Sequence, residues 1–188
     1  MAHWFTADPH FFHHNIIRFC KRPFTNVDEM NTTIIDNIRA VVKPSDTLWI
    51  IGDLTMNKNK DKEQVKSLFR QIPGKKNLIT GNHDRPWVSE ELKWEGVYDI
   101  LHTNIEGQPV SLCHYPLVTW PKVRHGSLML FGHVHNNWAG SRQCVNVGVD
   151  LWDFRPVRLD EIKARSETLP PNPIWEQAEP DTPPKDRT

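Results

Sequence analysis

The 188-residue chain carries 23 basic and 23 acidic side chains, so its formal net charge is zero. That length suffices for one domain with a sizeable core, and the balance removes the broad electrostatic footprint of proteins that bind nucleic acid or anionic membrane without specificity. No apolar run approaches the roughly 20 residues of a membrane helix, and the N-terminal stretch lacks the basic-then-apolar order of a secretory signal, so no membrane association and a cytoplasmic location are expected.

In chain order, short apolar runs recur, and each ends in a polar cluster. Trp4-Phe5-Thr6 precedes Asp8-Pro9-His10. From Thr25 to Asp28 the pattern resembles a capping box, after which Val27, Met30, Ile34, Ile35, Ile38, Val41 and Val42 recur at helical spacing until Lys43-Pro44. Leu48 to Ile51 precedes Gly52-Asp53. Val65, Leu68, Phe69 and Ile72 mark a second amphipathic helix, ended by Pro73-Gly74. Asn77 to Thr80 precedes Gly81-Asn82-His83-Asp84, Pro109 to Cys113 precedes His114, and Leu128 to Phe131 precedes Gly132-His133-Val134-His135. Brief runs bounded by glycine and polar residues predict buried strands, and their alternation with helices predicts an α/β start. From about Asp99 to Leu159 strand-like runs dominate, consistent with a mixed sheet or a two-sheet sandwich flanked by helices. A folded domain is expected over 1–164. The proline-rich end, 165–188, is expected to be an extended tail.

The polar clusters all follow strands, and the carboxyl ends of strands in such sheets converge on one rim. Asp8, His10, Asp53, Asn82, His83, His114, His133 and His135 are therefore candidates for a single site. They offer oxygen and imidazole donors without a thiolate, a set suited to Mn²⁺, Fe²⁺, Zn²⁺, Co²⁺ or Ni²⁺. Asp8 and His10, like His133 and His135, are two apart, and on extended backbone such pairs point to one side. Cys20, Cys113 and Cys144 form no CxxC pair and read as reduced, buried thiols.

In order and type, Asp8-x-His10, Gly52-Asp53, Gly81-Asn82-His83-Asp84, His114 and Gly132-His133-x-His135 resemble the calcineurin-like metallophosphoesterase superfamily, over roughly residues 3 to 160. The stretch from Asp8 to Ile17, with Arg22-Pro23-Phe24 after it, is similar to a small bacterial and phage branch of that superfamily. The resemblance implies an α/β (α+β) fold, a four-layer αββα sandwich of two mixed sheets flanked by helices, with a dinuclear metal site at the strand ends. It implies Asp8, His10, Asp53 and His135 on one divalent ion, Mn²⁺ favoured. It implies Asp53, Asn82, His114 and His133 on the other, with Asp53 bridging. His83 would protonate the leaving oxygen and Asp84 would orient His83.

The expected activity is hydrolysis of a phosphate ester, a diester ahead of a monoester. A non-catalytic scaffold and a phosphomonoesterase acting on nucleotides are the alternatives. Leu54 follows Asp53 where Ser/Thr protein phosphatases continue with an arginine, and Met56 stands where purple acid phosphatases place an iron-binding tyrosine, so neither of those branches is expected. His13, Asn15 and Arg85 are candidate substrate contacts, and a helix starting near Asn15 would cradle phosphate. Tyr115, Trp87, Trp120 and Trp138 are expected to line the cleft or fill the core, although the aromatic supply keeps a nucleotide or nucleic-acid substrate in view. Nothing in the sequence points to a protein partner.

Overall fold

In the computed structural model, which describes residues 1–56, 62–172 and 174–178, two five-stranded sheets lie face to face. The first sheet contains β1 (His3–Thr6), β2 (Thr47–Ile51), β3 (Lys75–Ile79), β4 (Gly96–Tyr98) and β10 (Val157–Arg158), in the order β10-β1-β2-β3-β4. Strands β1 to β4 are parallel and β10 is antiparallel to β1. The second sheet runs β5 (Ile100–Ile105), β6 (Gln108–Cys113), β7 (Leu128–Phe131), β9 (Cys144–Asn146), β8 (Gly140–Ser141), with β6, β7 and β9 parallel. This is the expected sandwich of two mixed sheets.

Alternation along the strands builds the layers. Leu48, Ile50 and Leu78 face outward against Met30, Ile34 and Ile38 of α2 (Val27–Val41) and Val65, Leu68 and Phe69 of α3 (Lys62–Gln71). Their neighbours Trp49, Ile51 and Ile79 face inward and meet Val110, Leu112, Leu128, Leu130 and Val145 of the second sheet. The outer face of that sheet, with Cys113, Met129, Phe131 and Cys144, is covered more thinly, by Trp120 and Val123. All three cysteines are free and buried, as expected.

Both predicted helices form, with one correction at a terminus. Asn26, not Thr25, caps α2: its side chain accepts from the Glu29 amide at 2.9 Å, while Thr25 donates through its own N–H to the Glu29 carboxylate at 2.7 Å. Glu29, rather than Asp28, thus stands three residues after the cap, where its longer side chain reaches back. Helix α5 (Leu159–Thr168) continues through position 164, and Leu169 packs in the inter-sheet core. The proline-rich end contains one helical turn, α6 (Trp175–Ala178), in a stretch free of proline. The expectation of an extended tail over 173 and 179–188 lies outside the described residues. Among the described residues, no helix is long and apolar enough to cross a membrane.

Candidate metal centre

The two sheets are joined at the carboxyl-end rim. The Ala7 amide donates to the Val147 carbonyl at 3.1 Å, and the Val149 amide donates back to the Ala7 carbonyl at 3.0 Å, so the chain leaving β1 pairs with the chain leaving β9. On its other side, the β1 loop follows the β2 loop: the amides of Asp8, His10 and Phe11 donate to the carbonyls of Gly52, Asp53 and Leu54 at 2.9–3.1 Å. The Gly132 amide donates to the His114 carbonyl at 3.0 Å, carrying the β6–β7 ladder beyond the strands. The clusters after β1, β2, β6 and β7 are thus laced together by main chain before any side chain is considered.

The local conformation corrects one expectation. Asp8 and His10 are not on extended backbone, and neither are His133 and His135. Each adopts a left-handed conformation, with φ of 55°, 52°, 69° and 51°, and Asp53 does the same at 55°. Such values cost of order 1–3 kcal/mol per non-glycine residue, and they turn the side chains inward from loops whose main chain is held on the neighbouring loop. Gly52 is required by space as well as by its φ of 82°, since a Cβ there would collide with the His114 ring.

Asp8, His10, Asp53 and His114 form a buried centre, with His133 and His135 partly buried and Asn82 exposed around it. Asp53 Oδ2 lies 3.5 Å from His10 Nε2 and 3.4 Å from His114 Nε2, so one oxygen faces both imidazoles. His114 Nε2 is also 3.1 Å from Asn82 Oδ1, and its Nδ1 is 3.0 Å from the Ile51 carbonyl. The His133 amide donates to the Asp8 carboxylate at 2.9 Å, and the His133 ring packs on that of His114 with centroids 5.1 Å apart. Donor atoms of Asp8, His10 and His135 lie within 4.8 Å of one another, as do those of Asp8, Asp53 and His114. All seven residues singled out as ligands thus lie in one connected cluster.

Protonation follows from burial and neighbours. Burial raises Asp53, but His114, His10 and the His83 amide outweigh it and hold this carboxyl down at about 2. Burial pushes Asp8 up to about 7 against the pull of His114 and His135. Burial keeps His10 neutral, well below the ordinary histidine value. Both ring nitrogens of His10 are buried without a hydrogen-bond partner, a condition that costs about 1–3 kcal/mol per orphaned group. A metal ion bound by one of these nitrogens would remove the cost there, because neutral imidazole is the form that ligates. The donor set and this orphaned ring therefore fit a divalent cation.

His83 is half-buried, with its ring 5.6 Å from the His10 ring and its amide donating to Asp53 Oδ1 at 2.8 Å. Asp84 departs from expectation: rather than holding the His83 ring, its carboxylate accepts from the amides of Asp53, Leu54 and Gly81, each at 2.9 Å. It fastens the β2 loop to the β3 loop, and burial raises its carboxyl to about 6. Among the candidate substrate contacts, His13 has its ring 5.4 Å from His10, with a buried and unpaired Nδ1, whereas Asn15 and Arg85 are exposed. Helix α1 (His14–Phe19) has only six residues, too short to act as the expected phosphate cradle. Trp87 and Trp120 are buried packing residues; Tyr115 is exposed, with its ring 4.5 Å from that of His133.

Two residues that the sequence did not single out complete the centre. Asp150 Oδ2 accepts from His135 Nδ1 at 3.0 Å and from Arg22 Nη2 at 2.9 Å, and its Oδ1 accepts from Arg22 Nε at 2.7 Å. Arg22, 4% exposed, donates onward to the carbonyls of Asp8 and Pro9 at 2.8 and 3.0 Å. Burial lowers His135, but the hydrogen bonds with Asp150 and Cys20 and the Asp8 charge together outweigh it and lift it to about 10. A carboxylate on the far nitrogen of a ligating histidine fixes its ring and tautomer. Arg22 stands in the Arg22-Pro23-Phe24 stretch noted above, which gave it no role, and Asp150, 15 residues beyond His135, carried no signal.

No protein-family model matches the chain. Its sequence is 34% identical over 163 residues to the uncharacterized protein MJ1445 of Methanocaldococcus jannaschii, covering 83% of this chain and 86% of that protein. The gene 66 protein of Mycobacterium phage L5 is 27% identical, covering 85% of this chain and 91% of that protein. Among solved structures, a protein of unknown function from Aquifex aeolicus, AQ665, superposes with a TM-score of 0.71 at 29% identity, covering 87% of this chain and 98% of that one. YfcE, a phosphoesterase from E. coli, stands further off, at a TM-score of 0.48 and 17% identity, with 79% of this chain and 78% of that one covered. With a third of its residues shared along most of both chains, the protein belongs to the same family as MJ1445 of Methanocaldococcus jannaschii.

Proposed function

We propose that this protein is a metal-dependent phosphoesterase, with a phosphodiester favoured over a monoester. The observation that carries the reading is the Asp53 carboxylate oxygen set between His10 and His114, with Asp8, Asn82, His133 and His135 around it. Asp8, His10, Asp53 and His135 would hold one divalent ion, and Asp53, Asn82, His114 and His133 a second, with Mn²⁺ favoured. Two such ions supply charge neutralisation for a phosphate and lower the pKa of water toward neutrality.

The chain's own residues do the rest. The low pKa of Asp53 keeps it anionic, the form in which it would be shared by two cations. The backbone lattice fixes the donors before a ligand arrives, so little reorganisation is needed. His83, anchored through its amide but with a half-exposed ring, is the side chain for donating a proton to the departing alkoxide oxygen. Asp84 serves it indirectly, by fixing the loop that carries it. His13 is the best-placed of the candidate substrate contacts. Asn15 and Arg85, both exposed, would reach a substrate only from the periphery.

The test is hydrolysis of an aryl phosphodiester and its matching monoester by metal-stripped protein, with Mn²⁺, Fe²⁺, Co²⁺, Ni²⁺, Zn²⁺ or Mg²⁺ restored. Cleavage that returns with metal, faster for the diester, is expected. Two bound ions without cleavage of either ester would favour the scaffold reading.

A further inference from the structure

A cleft of about 320 Å³ adjoins the metal centre, lined by Thr80, Gly81, Asn82, Asp99, Ile100, Cys113 and Tyr115. Its size is at the lower end of the roughly 300–1,000 Å³ of small-molecule sites. Asn82 belongs to both the cleft and the centre, with its Oδ1 3.1 Å from His114 Nε2. Tyr115 does likewise, its ring 4.5 Å from that of His133 and 5.3 Å from that of His114. A phosphate ester held at the centre therefore has this cleft beside it.

The lining is chemically uneven. Tyr115 and Ile100 are large apolar side chains left 45% and 50% exposed. Cys113 is buried, and burial raises its thiol so that it stays neutral. Against this apolar side stands Asp99, which accepts from the Thr80 hydroxyl at 2.5 Å. A carboxylate offers about four lone-pair sites, so Asp99 keeps capacity for further donors. An acyl chain would use Tyr115 and Ile100 but not the spare acceptor capacity of Asp99. A bare polyol would use Asp99 and leave the aromatic face idle. A group that is flat on one side and carries O–H or N–H donors uses both, and a second phosphate is disfavoured by the Asp99 charge.

We propose that this cleft binds a nucleoside group of the phosphate ester, with Tyr115 as its stacking platform and Asp99 as the acceptor for its hydroxyl or amino donors. The proposal rests on the phosphoesterase reading and narrows its substrate to nucleotide esters. Base–aromatic stacking on one side chain is strong enough for about a tenfold gain in affinity.

The experiment is calorimetric titration of the Mn²⁺-loaded full chain with inorganic phosphate, glycerol phosphate and adenosine 5′-monophosphate. The nucleotide is expected to bind about tenfold more tightly than either of the others. That ratio should fall toward one in Tyr115→Ala and in Ile100→Ala, and persist in Tyr115→Phe. Tyr115 and Ile100 are exposed, so their replacement does not threaten folding. Equal binding of the three ligands, or a nucleotide preference untouched by Tyr115→Ala, would overturn the subsite while leaving the metal centre's role standing. Failure of every phosphate to bind the loaded protein would overturn the phosphoesterase reading and the subsite together.

Discussion

Helix α2 and the loop after β1 both pack on the first sheet, and they are built in opposite ways. In α2, Asn26 caps the first turn, Asp28 and Glu29 sit where the helix dipole favours acid, and Met30, Ile34 and Ile38 fill the core. In the loop, Asp8 and His10 take left-handed backbone conformations, Asp8 is a fully buried carboxyl and His10 is a buried ring with no hydrogen-bond partner. Local preference, burial and hydrogen bonding agree in the helix and conflict in the loop. The conflict persists because the main-chain lattice to Gly52, Asp53, Leu54 and Val147 overrides it. Stability is thus concentrated in the helical layer, and the rim holds reactive groups in place at a cost.

The sharpest way to break this contrast is at Asp53. Asp53→Asn should weaken binding of both metal ions together and lower turnover by several orders of magnitude, since it would remove the charge the two ions are proposed to share. Unchanged metal occupancy, measured by calorimetry, would remove Asp53 as the bridge. His83→Ala should retain both ions and lose about 10²–10⁴ in turnover, the usual worth of a positioned proton donor; normal turnover would end that assignment. Asp150→Asn should weaken metal binding about 10- to 100-fold through its hold on His135. A lower melting temperature with unaltered metal affinity would instead make Arg22 and Asp150 purely a structural pair.

On the helical side, Ile34→Ala should cost about 2–5 kcal/mol of stability while metal affinity stays as it was, a separation readable from urea unfolding and calorimetry on the same variant. The smallest effect is expected with pH. The Ala2 amide, with those of Lys43 and the Trp4 indole, holds the Asp46 carboxyl below its usual value. Its stabilisation is therefore complete above the ordinary carboxylate pKa of about 3.9 and is lost as pH falls through the depressed one. Asp46→Asn should flatten the acid limb of the stability curve; an identical limb would assign acid unfolding to other carboxyls.

The rim is unevenly legible in the sequence, for physical reasons. Asp8, His10, Asp53, Asn82, His114, His133 and His135 were legible because each follows a short apolar run, and their convergence follows from strand polarity. The role of Asp84 is not legible because its neighbour in sequence, His83, is not its partner in space: its oxygens turn back to main-chain amides of the β2 loop and of Gly81. The pairing of Arg22 with Asp150 joins positions 128 residues apart, and no local pattern encodes such a contact.

By itself the sequence determined the strand runs, the two amphipathic helices, the absence of a thiolate from the proposed donor set and the order of the candidate ligand clusters. These depend on periodicity and on residues adjacent in the chain. Only the tertiary structure decided that Asp8, His10, Asp53, His133 and His135, among the proposed ligands, take left-handed conformations, that the sheets join at the rim through Ala7, Val147 and Val149, and that Asp150 and Arg22 stand behind His135. It also placed Tyr115 and Asp99 around one cleft. Each of these depends on which loops are brought side by side, and that is set by the stacking of two sheets rather than by any stretch of sequence.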